Sequence, residues 1–183
     1  MTARSKIFAI AGSTRHHSSN LSLLKAIAEL YAEKLEIIIF SGLSELPSFN
    51  PDHNDENVVK EVIDFRQQIR DADGVLICTP EYAHGVPGTL KNAIDWTVST
   101  NEFSKKPTAL ITASTDGRFG HQALLNTLRV IEAENIDELQ LLIQFVKTKL
   151  DELGRIKDPK TQSDVLRLID DLIATINKQK GTV

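Results

Sequence analysis

The sequence predicts an α/β/α sandwich, in which a five-stranded parallel sheet is covered by helices on both faces. Two observations carry this expectation. Five short apolar runs recur along the chain, and between them apolar residues return at helical spacing. The runs are continuously hydrophobic rather than alternating, as strands buried on both faces must be. Alternation of this kind yields parallel neighbours, because a right-handed crossover through a helix returns the next strand in the same direction.

The elements follow in order. Ile7 to Ala11 reads as the first strand, closed by Gly12. Leu21, Leu24, Ile27, Ala28 and Tyr31 mark a helix reaching about Lys34, and Leu35 to Phe40 reads as a second strand. Residues 41–56 contain Pro47, Pro51 and several polar residues, which suits a solvated loop. Val58, Val59, Val62, Ile63 and Ile69 place one apolar face on the next helix, which leads into the strand Gly74 to Thr79. Leu90, Ala93, Ile94 and Val98 give a third helix, and Pro107 to Ala113 a fourth strand. Leu124, Leu125, Leu128 and Ile131 form a fourth helical face, followed by a fifth strand from Leu139 to Val146. The final helix is the most regular, with Val165, Ile169, Leu172, Ile173 and Ile176 on one side. No repeat or linker interrupts residues 1–183, so one domain is expected. Five such units are compatible with the strand order 2-1-3-4-5, and with others.

Composition narrows the function. A net charge of -4 argues against a broad nucleic-acid face, where Lys and Arg would cluster. Hydrophobic residues make up 41% and charged residues 25% of the chain, the balance of a soluble globular protein. The first apolar run is too short for a secretory signal, and no segment approaches the ~20 apolar residues of a membrane span. Cys78 is the single cysteine and ends a buried strand, which favours an inert thiol. A cytoplasmic protein with no membrane or nucleic-acid partner is expected.

Ligands of open parallel sheets bind beyond the carboxyl ends of the strands, which directs attention to the loops after the first, third and fourth. The first loop is Gly12-Ser13-Thr14-Arg15-His16-His17-Ser18-Ser19-Asn20, at the start of a helix. A helix N-terminus offers free N–H groups and partial positive charge, and Arg15 adds a full charge, a combination suited to a phosphate monoester. Gly12 suggests a tight turn. The same serines and Asn20 also suit simple helix capping. Neither G-x-x-x-x-G-K-[ST] nor G-x-G-x-x-G is present, which disfavours a P-loop and a dinucleotide fingerprint. His16 and His17 read as exposed loop residues, and no metal site is expected. The second loop holds Pro80, Gly85, Pro87 and Gly88, stiff and tightly turned, with Tyr82 and His84 able to flank a planar ring.

Together, Gly12-Ser13-x-Arg15-x-x-Ser18-x-Asn20 and Pro80-Glu81-Tyr82-Ala83-His84-Gly85-x-Pro87-Gly88-x-Leu90-Lys91-Asn92-Ala93-Ile94-Asp95-Trp96 resemble the NADPH-dependent FMN reductase family. The similarity runs from the first strand through at least Leu128. It implies a flavodoxin-like fold with strand order 2-1-3-4-5 and FMN as cofactor. NADPH or NADH would be the electron donor, and a flavin, quinone, azo compound or metal oxyanion the acceptor. A homodimer or homotetramer is implied as well.

Carried onto this chain, the resemblance puts the FMN phosphate on Ser13, Arg15, Ser18 and Asn20, with Ser19 and Leu21 beside them. Pro80, Glu81, Tyr82, Ala83, His84 and Gly85 would follow the ribityl chain and the ring, and Ser114, Thr115, Asp116 and Gly117 would meet the ring's other edge. Many members have Asn and Ser where this chain has Ala83 and Gly85, so contacts here would rest on backbone N–H groups. Because the cofactor supplies the chemistry, no side chain is expected to be catalytic in its own right. Lys91, Asn92 and Asp95 are compatible with structural roles, and Trp96 with either a subunit interface or a ligand contact. Sequence leaves two other roles open, a flavodoxin-like electron carrier and a flavin-sensing module. The mild net charge favours the enzyme over a carrier, which would be strongly acidic.

Overall fold

Parallel pairing joins β1 (Ser5–Ala11), β2 (Leu35–Phe40), β3 (Gly74–Thr79), β4 (Thr108–Ser114) and β5 (Gln140–Gln144) into one sheet of order β2-β1-β3-β4-β5. This is the order the resemblance implies. The computed structural model describes residues 4–15, 17–53 and 58–181, so His16 and positions 54–56 of the long loop lie outside the described residues. Ile7 stands opposite Ile37 on one side and Gly74 on the other, and Leu110 opposite Gln140. Helices α1 (Ser19–Leu30), α2 (Lys60–Asp71), α3 (Gly88–Asp95), α4 (Arg118–Val130), α5 (Val146–Lys149) and α6 (Pro159–Lys180) complete the chain. Among the described residues no helix is long and apolar enough to cross a membrane.

The pleat sorts the core into two layers. Ile7, Ala9, Leu76, Cys78, Ala109 and Ile111 point toward α1 and α6, while Phe8, Ile10, Val75, Ile77 and Leu110 point toward α2, α3 and α4. Each fully buried aliphatic side chain contributes about 1.5–3 kcal/mol over its exposed state. Phe8, Phe40 and Phe65 pack with ring centroids 5.1–5.8 Å apart on the second face.

Several expectations are corrected. The first helix stops at Leu30, and Tyr31 follows it with its side chain still buried, its hydroxyl donating to the Leu166 carbonyl and to Asp170. In α2 the buried stripe is Val62, Phe65, Arg66 and Ile69, whereas Val59 precedes the helix and Ile63 falls on the solvent side. Arg66 enters the core because its guanidinium donates to the Trp96 carbonyl at 2.7 Å and lies over the indole ring. Trp96 is itself buried in this layer, so it faces neither a ligand nor a subunit interface. Val98 lies beyond the end of α3 and is exposed.

The loop after β2 is largely exposed over its described part, as expected, but it is fastened to the core at several points. Leu43 and Leu46 are buried, Asn92 and Trp96 both donate to the Pro47 carbonyl at 2.9 Å, and the Phe49 N–H donates to Asn92. Lys91 pairs with Asp95 at 2.5 Å, so all four of these motif residues have structural partners. Gly12 is needed for close approach rather than for a special turn: a Cβ there would lie 2.4 Å from Thr79 Oγ1 and 2.9 Å from its Cα.

His121 bridges the second layer, its ring nitrogens within 2.8 Å of Thr112 Oγ1 and 2.9 Å of Gln140 Oε1. Burial outweighs the Gln140 hydrogen bond and holds its pKa below the usual histidine value. The unfolded chain therefore takes up a proton at this residue at higher pH than the native state does. Its stabilising effect is complete above the unfolded pKa of about 6.5 and is lost as pH falls below it. The urea midpoint should drop between about pH 7.5 and pH 5.5. His121→Asn should give a lower midpoint at the higher pH and a flatter pH dependence, and an unchanged slope would contradict the assignment.

Candidate functional site

The site is built by the carboxyl ends of four adjacent strands. The N-terminus of α1 is capped by Ser18, whose Oγ accepts from the Asn20 N–H at 3.2 Å. The Ser22 N–H bonds to the Ser18 carbonyl, so among the described residues the Ser19 and Leu21 N–H groups are the first-turn donors without a protein acceptor. Asn20 is buried and acts as a bracket: its Nδ2 donates to the Ala113 carbonyl at 3.1 Å, and its Oδ1 accepts from the Cys78 thiol at 3.3 Å. Burial pushes the Cys78 thiol pKa up, so this group is a hydrogen-bond donor and not a nucleophile.

The second loop is locked from two directions. Ser13 Oγ and the Tyr82 hydroxyl lie 3.2 Å apart, tying it to the first loop. The Glu81 carboxylate accepts from the Gly120 N–H at 2.6 Å and from the Gly117 N–H at 3.4 Å, so it caps α4 from outside that helix. Gly117, at φ 89°, opens the helix in a conformation that only glycine adopts freely. Gly120 permits the close approach, since a Cβ there would lie 2.9 Å from the Gly85 carbonyl oxygen. Tyr82 and Gly85 exchange both backbone hydrogen bonds, which closes a two-residue hairpin with Ala83 at φ 47° and His84 at φ 59°. Positive φ at two non-glycine residues stores strain of order 1 kcal/mol each, held in place by the flanking contacts. His84 stacks on Phe119 with ring centroids 4.6 Å apart.

Asp116 is gripped by Arg118 through two hydrogen bonds and by Gln144 at 3.0 Å, and the Arg118 guanidinium holds its carboxyl below the usual range. The Phe145 N–H donates to the Thr115 carbonyl at 3.2 Å, joining the turns after β4 and β5.

These segments enclose a cavity of about 390 Å³. Ser13, Arg15, Ser18, Ser19, Asn20, Pro80, Glu81, Tyr82, Ser114 and Thr115 line it, all of them sequence-predicted. The side chain of Leu21 packs against the core instead. Ala83, His84, Gly85, Asp116 and Gly117 lie in the adjoining turns and do not line the cavity. His17, anticipated only as an exposed loop residue, is exposed and lines it. Sequence reasoning missed Ala113 and the turn after β5, where Phe145, Val146, Lys147 and Thr148 complete the wall. The rule that directs ligands to strand ends applies equally to the fifth strand, and an aromatic, a cation and a hydroxyl in succession were the available signal.

The family profile of the NADPH-dependent FMN reductases matches residues 5–147. The chain belongs to this family. Across 182 residues it is 32% identical to an NAD(P)H-dependent FMN reductase of Pseudomonas aeruginosa, covering 96% of this chain and 97% of that relative. A 2-hydroxy-1,4-benzoquinone reductase from Burkholderia is 30% identical over 182 residues, with 96% and 98% covered. Among solved structures, a flavoenzyme NAD(P)H:acceptor oxidoreductase from Paracoccus denitrificans superposes with a TM-score of 0.79 at 26% identity, over 95% of this chain and 98% of that one. Membership in the FMN reductase family accords with the donor set around the cavity: open amides at a helix N-terminus, Arg15, and a ring of serine and threonine hydroxyls.

Because the Glu81 carboxylate caps α4, Glu81→Ala should lower stability by about 1–3 kcal/mol in urea unfolding. Glu81→Gln should recover part of this. A wild-type midpoint for Glu81→Ala would show that the cap is dispensable.

Proposed function

We propose that this chain is an FMN-dependent NAD(P)H oxidoreductase that passes electrons to a small acceptor such as a flavin, quinone, azo compound or metal oxyanion, with FMN held in the cavity at the strand ends. The observation that carries this reading is the first turn of α1, where Ser19, with its open amide, and Arg15 line the same cavity as Pro80–Tyr82 and Ser114–Thr115. A terminal phosphate suits that helix end through its N–H donors and dipole.

The chain's residues divide the work of binding. Ser13, Arg15, Ser18, Ser19 and the Leu21 N–H would hold the phosphate, and Asn20 would position this turn against β3 and β4. Pro80, Glu81 and Tyr82 would border the ribityl chain and ring, with Tyr82 oriented by Ser13. The hairpin through Ala83, His84 and Gly85 would present the Ala83 and His84 backbone N–H groups beside the ring, the Gly85 N–H being engaged by the Tyr82 carbonyl. Ser114, Thr115, Asp116 and Gly117 would border the opposite edge, stiffened by Arg118 and Gln144. The chemistry that FMN supplies when bound is hydride acceptance from the nicotinamide and electron delivery to the acceptor. No side chain is assigned a proton-transfer role. The exposed Tyr82 and Phe145 rings lining the cavity, with the exposed Phe119 ring stacked on His84, support self-association into a homodimer or homotetramer, and the nicotinamide donor supports a cytoplasmic setting.

The visible spectrum of the purified protein, followed by anaerobic addition of NADPH and then NADH, tests this reading. A bound-flavin spectrum that bleaches rapidly is the expected result. Bound flavin that neither nucleotide reduces would contradict the reductase activity, and failure to bind FMN after soaking would remove the cofactor assignment.

A further inference from the structure

The proposed reading uses Arg15 and the first turn of α1, yet the cavity carries another full cation. Lys147, in the short helix after β5, lines the same space as Arg15. Among the described residues neither Arg15 nor Lys147 forms an ion pair. The neighbouring Lys149 differs on both counts: it pairs with Asp158 at 3.2 Å and does not line the cavity. Glu81, which also lines the cavity, has its oxygens engaged by the Gly117 and Gly120 N–H groups.

Lys147 is also held in place. The Phe145 N–H is anchored on the Thr115 carbonyl, Gln144 is bonded to Asp116, and both the N–H and the hydroxyl of Thr148 donate to the Phe145 carbonyl. The backbone that carries Lys147 is therefore tied to the β4 turn, so recruiting its side chain needs no ordering of the loop. β1 and β5 flank β3 and β4 in the sheet, so Arg15 and Lys147 enter the cavity from opposite sides of the strand ends.

We propose that Lys147 is a second cationic ligand of the FMN phosphate, and that with Arg15 it makes the site select FMN over riboflavin. The proposal rests on FMN being the cofactor. A phosphate monoester carries about -1.5 to -2 charges at pH 7, which one guanidinium leaves partly uncompensated. An ammonium serves phosphate as a point charge and needs no fixed fork geometry, which suits a lysine reaching across a cavity. Riboflavin lacks that anion but presents the same ring and ribityl chain, so it isolates the electrostatic contribution.

The test is the dissociation constant of FMN and of riboflavin, read by flavin fluorescence quenching on the purified chain freed of bound flavin. Lys147→Met should weaken FMN binding about ten-fold and leave riboflavin binding unchanged. Lys147→Arg should retain most of the preference, and Arg15→Ala should show the same signature as Lys147→Met. The FMN-specific loss should shrink from about 0.05 M to about 0.5 M salt as screening grows. Lys147 is exposed, so an unchanged urea midpoint is expected for its variants. If Lys147→Met weakens both flavins equally, or neither, the lysine does not serve the phosphate and the proposal fails. If the wild-type chain binds neither flavin, the cofactor reading itself fails and takes the proposal with it.

Discussion

A buried carboxamide joins three elements at the carboxyl edge of the sheet, and the geometry of the cavity depends on it. Asn20 sits in the first turn of α1, accepts a hydrogen bond from Cys78 at the end of β3, and donates to Ala113 near the end of β4. Both partners are buried, so the amide has no solvent to fall back on, and losing either bond leaves a polar group unsatisfied at a cost of about 1–3 kcal/mol. This bracket aims the helix N-terminus over the strand ends. It also explains why Asn20, which the family motif places among the phosphate ligands, acts through position rather than direct contact in this proposal. Ser18 and Ser13, which line the cavity, have structural partners as well, one as the helix cap and the other beside the Tyr82 hydroxyl.

A second constraint keeps the ring side of the site rigid. The Glu81 carboxylate replaces the missing cap of α4, and the absence of side chains at Gly117 and Gly120 lets that helix approach the hairpin. The strain at Ala83 and His84 is tolerated because the turn is fixed at both ends by the paired Tyr82 and Gly85. Backbone N–H groups at such a turn survive every substitution except one to proline.

Much of this was legible in the sequence. Strands buried on both faces announce themselves as unbroken apolar runs, and β1 and β3 match theirs to within two residues. Local pattern failed where burial depends on distant partners. Arg66 is in the core because of Trp96, thirty residues away, while Ile63 is exposed despite its hydrophobicity. The fastening of the loop after β2 left no local signal because the groups that supply it, Asn92 and Trp96, come more than forty residues later. Three walls of the cavity followed from motif and strand-end logic. The fourth did not, because β5 ends at Gln144 when Phe145 takes a positive φ of 52°, and a phenylalanine gives no warning of that conformation.

The central claim is that the strand-end cavity receives FMN with its phosphate at the first turn of α1. Backbone amide chemical shifts of the isotope-labelled protein, recorded during titration with FMN, test it most directly. The account predicts the largest changes at residues 13–21, 80–85, 114–117 and 145–148, with the Ser19 and Leu21 amides moving further for FMN than for riboflavin. Changes centred elsewhere, for example on the groove between Leu30 and Arg155, would contradict it.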